Sequence, residues 1–419
     1  MHSTIAFVLT ILVLCYAVVS GLVKRWYVAP ALVFVGFGVL LGPFVFNVID
    51  VGTDAASFTV VAQLALTVIL FNQAAELDLS AVVRRRDITF RLLVIGIPLA
   101  LALGTVTALL VLPVMPLWEA VCLAAIVAPT EVAIIDALLE DKRIPESIRH
   151  ALSTESGFYD GFALAATLAA LALASERTDP DTTRWTMFLI RTEVVSVGVG
   201  LVLGALGGLV IARSRKREWM SGTWAQLATL AVALVCFQIG EGLHGSGFVA
   251  AFAGGLAFAF VAKRTGVPPE TQVSDAAGQL LELMVFAMFG SYAVVQGWHD
   301  ASWRVVLFAV LALFGIRVVA VSVALLRSRL PIPNRLFIGW FGPRGIGTLV
   351  LGLLVVERGQ IQQESLITQV VAVTVTLSLV VHSVSAWPGI AWLGAREAAD
   401  APTPDEVPSE PALPDVEGG

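Results

Sequence analysis

Apolar residues in this chain fall in long, nearly unbroken runs. They show neither the alternation of a half-buried strand nor the one-sided stripe of a surface helix. The runs centre on 4–23, 28–47, 56–75, 92–114, 117–139, 151–175, 186–212, 223–241, 247–262, 276–297, 303–326, 335–356 and 364–386. Most reach ~20 residues, enough for a helix to cross a hydrocarbon layer of ~30 Å. The pattern predicts an all-α polytopic membrane protein with about thirteen transmembrane helices. A transmembrane barrel would show shorter, alternating segments.

Charge between the runs sets an orientation. With the N-terminus outside, the inside loops hold Lys24, Arg25, Arg84, Arg85, Arg86, Arg91, Lys142, Arg143, Arg149, Arg213, Arg215, Lys216, Arg217, Lys263, Arg264, Arg327, Arg329, Arg335 and Arg396. The outside loops hold only Arg177, Arg184, Arg191, Arg304 and Arg358. That asymmetry follows the positive-inside rule and predicts a multi-pass cell-membrane protein with a cytoplasmic C-terminus. The segment 76–91 reads as an interfacial connector whose arginines lie at the headgroups. The first run lacks a basic leader and a convincing cleavage site, so it is expected to stay as a span.

Composition sharpens the class. The chain is 57% hydrophobic and only 14% charged, against ~25% charged in soluble domains. A net charge of −6 with no basic stripe predicts no nucleic-acid partner. Cys15, Cys122 and Cys236 each sit among apolar residues and read as packing groups. The histidines at 2, 150, 244, 299 and 382 share no metal-ligand spacing. The Pro-rich acidic stretch from 396 to 419 cannot bury a core and is expected to be a disordered cytoplasmic tail. The transmembrane domain is therefore 1–395.

Two runs are interrupted, each beside a charge. In AIVAPTEVAII (125–135), Pro129 stops the helix next to Thr130 and Glu131. In GWFGPRGIGTLV (339–350), Gly342, Pro343, Gly345 and Gly347 surround Arg344. Broken backbone at membrane depth is tolerated around a protein- or water-lined cavity. If 1–175 and 223–390 are two six-helix halves joined by a linker helix at 186–212, both breaks fall in the fifth helix of their half. The odd linker makes the repeats inverted, and matched breaks point to a transporter's binding site.

The run that follows the first break carries TESGFYDG (154–161). On a helix, Ser156 and Asp160 share one face, and Glu155 and Tyr159 the adjacent one. Ser156, Asp160, Thr130 and freed carbonyls are expected to form an oxygen-lined site for a hard monovalent cation, with Glu131 and Tyr159 counted among its cation- and proton-binding residues. Arg317, alone in an apolar run, is expected to pair with Glu155, and Arg344 with Glu131. Glu193 and Glu282, nearer span ends, read as structural. Asp160 is then the one acid without a basic partner, able to hold a proton or a cation, and one such acid implies electroneutral exchange.

Other chemistries fit less well. Tyr159-Asp160 matches one half of an intramembrane aspartyl protease, which needs a second aspartate on the next helix. The run at 186–212 has none. Ser156 has no histidine in its layer and no G-x-S-x-G context. A passive channel would show no coupling of cation uptake to a pH gradient.

The segments RLLVIGIPLAL (91–101), WEAVCLAAIVAPTE (118–131), RIPESIRHALSTESGFYDG (143–161), GSGFVAAFAGGLAF (245–258) and WFGPRGIGTLVLGLL (340–354) occur in this order. Together they resemble the monovalent cation:proton antiporter-1 family of sodium/proton antiporters, over nearly all of 1–390. The resemblance implies crossing broken helices, a homodimer, and a core domain moving like an elevator. It implies exchange of Na⁺ or Li⁺, sometimes K⁺, for H⁺, with no cofactor. By the same resemblance Asp160 is the cation-site aspartate, with Thr130, Ser156 and the Glu155–Arg317 bridge around it and Arg344 in the second break. Three positions depart from the family. Tyr159 replaces an asparagine, Glu131 replaces an aspartate, and Asn72 stands where an acidic or polar residue is common. These departures make an altered-selectivity or regulatory relative the alternative.

Overall fold

Helices form wherever the apolar runs lie, because a chain in lipid must satisfy its backbone groups internally. The computed structural model describes residues 2–48, 55–77, 88–175, 182–328, 330–358 and 361–399. In order, the helices are α1 (His2–Arg25), α2 (Pro30–Leu41), α3 (Ala55–Glu76), α4 (Thr89–Val111), α5 (Leu117–Ile126), α6 (Asp136–Leu139), α7 (Glu146–Ser175) and α8 (Thr182–Lys216). They continue as α9 (Gly222–Gly242), α10 (Gly247–Thr265), α11 (Gln272–His299), α12 (Trp303–Ala324), α13 (Ile332–Trp340), α14 (Ile346–Arg358) and α15 (Glu364–Ala399). No strand occurs among the described residues. Nine of these helices are long and apolar enough to cross a membrane: α1, α3, α4, α8, α9, α10, α11, α12 and α15. α2, α5 and most of α14 are apolar but shorter. α7 is long enough, at 30 residues, but carries the polar groups of the site.

The run at 117–139 is not one helix. α5 stops before Pro129, and the chain resumes as a 3₁₀ turn (Val132–Ile135) leading into α6. The residue ahead of a proline is driven out of the helical region, which ends α5 there. The run at 335–356 splits likewise into α13 and α14 around the non-helical residues 341–345. In α12 a π-turn, Leu311–Ile316, immediately precedes Arg317. One departure from expectation lies at the C-terminal end. α15 runs unbroken past 386 to Ala399, with Pro388 inside it, so the first residues assigned to the tail are helical. Residues 400–419, and most of the connector expected at 76–91 (78–87), lie outside the described residues.

The helices pack in two groups. α10 lies along α8, α9 and α3, and α11 lies along α2 and α3. Separately, α5 packs on α4 and α7, α12 on α13, and α15 on α12 and α14. Small residues allow the closest approaches. A side chain on Gly204 of α8 would enter the backbone of Gly254 in α10. The groups meet where α3 and α10 face α7, where α3 faces α14, and where α2 and α11 face α15.

Between the groups opens a cavity of about 870 Å³. Its outer wall carries the exposed side chains Lys24, Glu76, Asp136 and Asp275, and its floor the buried Asn72, Glu131 and Glu282. At its rim Lys24 pairs with Glu140 at 2.5 Å. The Tyr27 hydroxyl donates to Asp141 at 3.0 Å, and Arg143 donates to the same carboxylate. Those hydrogen bonds from Arg143 hold the Asp141 carboxyl well below the usual carboxylate range.

Candidate functional site

The two interruptions touch. The Glu131 N–H donates to the Pro343 carbonyl at 2.8 Å, so the two non-helical segments are hydrogen-bonded to each other. Each leaves helix ends whose terminal carbonyls or N–H groups lack intrahelical partners. The charges beside them fill those needs. Arg344 Nη1 donates to the carbonyls of Ala128 and, at 2.7 Å, Pro129, just past the end of α5. The Glu131 carboxylate lies by the N–H groups of Gly347, in the first turn of α14, and of Ala133. A cation at a helix C-terminus and an anion at an N-terminus both suit the helix dipole.

This corrects the expected Glu131–Arg344 ion pair. The two side chains serve opposite helix ends and form no ion pair among the described residues. The demand of the orphaned backbone outweighs direct charge pairing.

Glu155 and Arg317 do meet. Arg317 Nη1 and Nη2 donate to Glu155 Oε1 and Oε2 at 2.9 and 3.0 Å. Nη2 also reaches the Ile338 carbonyl near the end of α13, at 3.4 Å. Gly342 makes room, since a Cβ there would overlap the guanidinium. Such bidentate geometry is what a buried ion pair requires to offset desolvation.

The second break is further held by α15. The Arg344 N–H donates to Ser378 Oγ at 2.6 Å. The His382 ring places Nδ1 3.2 Å from Ser378 Oγ and Nε2 2.9 Å from the Trp340 carbonyl. Nδ1 also lies 2.8 Å from the Ser378 carbonyl, so each ring nitrogen faces a backbone carbonyl and the ring bridges α15 to the end of α13. Sequence reasoning missed Ser378 and His382, because their partners lie on another helix. The only signal was two polar residues, four apart, in an apolar run.

Asp160 lies beneath the crossing, 4% exposed. Neither carboxylate oxygen has a hydrogen-bond partner. Gln73 is close enough to interact with it but outside hydrogen-bond geometry, and the Glu131 carboxylate acts on it through space. Gly347 keeps the approach open, since a Cβ there would stand 3.0 Å from Asp160 Oδ1. Ser156 Oγ donates to the Thr130 carbonyl at 2.5 Å, which ties α7 to the first break.

Two sequence readings change here. Glu131 Oε2 also lacks a partner, so Asp160 is not the solitary acid expected. Two open acids, unlike one, do not by themselves fix the charge moved per cycle. Tyr159 is buried beside Ile97 and Ala128, within electrostatic reach of Arg344 and Arg317. Its ring thus packs on an apolar cluster, one residue around the helix from Asp160. Asn72 accepts from Ser274 at 3.0 Å, linking α3 to α11. Glu282, read as structural, instead lines the cavity and acts on both Glu131 and Asp160. No cluster of three or more His, Cys, Asp or Glu poised to hold a metal ion occurs among the described residues. A cation here would rely on one or two carboxylates with hydroxyl and carbonyl oxygens.

Residues 9–391 match the family model described as "Sodium/hydrogen exchanger, transmembrane". The chain is 26% identical over 399 residues to the K(+)/H(+) antiporter NhaP of Alkalimonas amylolytica, covering 92% of this chain and 67% of that one. It is 24% identical over 370 residues to a Na(+)/H(+) antiporter of Saccharomyces cerevisiae, covering 83% of this chain and 37% of the relative. The chain thus spans about two thirds of the first relative's length and well under half of the second's. The fold is similar to that of the sodium proton antiporter MjNhaP1 from Methanocaldococcus jannaschii. The TM-score is 0.75 at 17% identity, over 92% of this chain and 100% of that one. With the model spanning nearly the whole membrane region, the chain belongs to the sodium/hydrogen exchanger family of transmembrane antiporters.

Proposed function

We propose that the protein exchanges a monovalent cation, Na⁺, Li⁺ or K⁺, for H⁺ across the membrane, with cation and proton competing for Asp160. The observation that carries this reading is Asp160 itself: buried, without a hydrogen-bond partner, and set beneath two crossed helix breaks. A carboxylate left in that state is satisfied by a proton or by a cation, and exchanging one for the other is antiport. Ser156, Thr130 and the carbonyls of the first break supply further oxygens. The Glu155–Arg317 pair and Arg344 keep the breaks in place.

In this reading the site is exposed alternately on the two faces. The helix group carrying Asp160 slides past the group of α2, α3 and α8–α11. The two groups suit thirteen crossings with two inverted repeats, an N-terminus outside, a cytoplasmic C-terminus and a homodimer. Exchange of one cation for one proton at Asp160 moves no net charge. The acids that act on Asp160 are Glu131 and Glu282, not the paired aspartates of a protease.

The test is cation-driven pH change in proteoliposomes, with Na⁺, Li⁺ and K⁺ in turn. The native chain should respond to at least one ion, and Asp160→Asn should not. An unaltered signal from that variant overturns the assignment. A rate that depends on membrane voltage overturns the electroneutral part alone.

A further inference from the structure

We infer that Glu282 is a receiving carboxylate, which takes the cation at the floor of the cavity and presents it to Asp160. This rests on the exchange function proposed above and adds a residue to it.

Four observations converge. Glu282 is 7% exposed, yet its residue lines the open cavity together with Glu131. No Lys or Arg pairs with it among the described residues, which is rare for a glutamate in an apolar helix unless it serves a path. Glu131 Oε2 and Gln73 Oε1, on the same cavity, are buried acceptors without hydrogen-bond partners. Oxygen acceptors with nothing donating to them suit a desolvated cation. Finally, Glu282 belongs to α11, which packs on α2 and α3, whereas Asp160 and Glu131 belong to the other helix group.

That last fact gives the role its direction. Glu282, on the opposing group, shares the cavity with Glu131 only while the groups stand in this arrangement. When the groups slide, Asp160 moves away from Glu282, so a cation resting between them must leave with one or the other. Exposed Glu76, Asp136 and Asp275 above it raise the local cation concentration. Glu282 is then a residue for uptake at one face, with no counterpart duty at the other.

The experiment is sided kinetics. Apparent KM for Na⁺ and for K⁺ is measured in everted and in right-side-out membrane vesicles, for the native chain, Asp160→Asn, Glu282→Gln and Glu282→Asp. For Glu282→Gln the KM at the cavity face should rise about tenfold, as for a lost charge-assisted contact, with kcat and the opposite-face KM changed less than about twofold. Glu282→Asp should recover most of the loss. Equal changes at both faces, or none, overturn the inference, since a structural role would not respect sidedness. If Glu282→Gln does not fold, a smaller, cavity-face-only rise in Glu282→Asp carries the test, and its absence overturns it. An inactive native chain, or an unaffected Asp160→Asn, sinks the exchange function instead.

Discussion

Glu155 and Asp160 stand five residues apart on one helix, at 2% and 4% exposure. Chemically they are nearly the same group, and the structure treats them oppositely. Glu155 receives both arms of Arg317. Asp160 receives nothing. The difference arises from rotation about the helix. Five residues turn a side chain by about 140°, so one carboxylate faces the arginine of α12 and the other faces the crossing and Gly347. A buried acid with a bidentate partner fixes structure, and one without is free to trade ligands. The contrast assigns roles that residue type alone does not.

The largest effect is expected at Asp160. Asp160→Asn should bring cation-driven proton exchange down to the protein-free background. The melting temperature of the purified protein should not fall, because an unpartnered buried charge contributes nothing to stability. A lower melting point with retained transport would reverse the two roles.

Glu155 should behave the other way. Glu155→Gln or Arg317→Met alone leaves an uncompensated buried group and should destabilise by ~3–5 kcal/mol. The double variant should regain much of that, as read in a thermal-unfolding cycle. Additive losses would show that the pair does not act as one unit.

Arg344→Gln comes next. It removes the charged donor to the Ala128 and Pro129 carbonyls and should cost ~1–3 kcal/mol. Transport should slow because the crossing loosens. A variant in which Glu131→Gln suppresses this loss would restore the direct Glu131–Arg344 pairing that the structure does not show.

Smaller still is Tyr159→Asn. The ring packs beside Ile97 and Ala128, so the change should alter cation KM by no more than about fivefold, ~1 kcal/mol. A switch in cation preference would move Tyr159 into the binding site and favour the altered-selectivity reading.

The smallest effect is expected at the rim. Arg143 holds Asp141 below the ordinary carboxylate range. Its folded-state pKa is therefore depressed, and its contribution is present above the unfolded value near ~4 and lost only as pH falls below it. Asp141→Asn should leave the transport profile between pH ~5 and ~8 unchanged. A shifted profile would make the Tyr27–Asp141–Arg143 contact part of the pH response.

Much of this was legible in order along the chain. The two breaks were readable from Pro129 and from Gly342-Pro343, because a proline or glycine acts on its own helix whatever surrounds it. The pairing of Glu155 with Arg317 was readable by scarcity, since few charges lie inside the runs. Three things were not. Arg344 and Glu131 chose orphaned backbone over each other, which depends on where helix ends point. Ser378 and His382 brace the second break from a helix some forty residues on. Glu282 looked like a span-end glutamate, and only the cavity shows what it faces.

The amino-acid order thus determined a membrane bundle, the places where its helices fail, and which charges are trapped inside. Those are local properties of apolar length, ring constraint and side-chain charge. Which trapped charge is satisfied and which is left open was decided by the tertiary fold, because a partner is a matter of distance and direction between helices far apart in sequence.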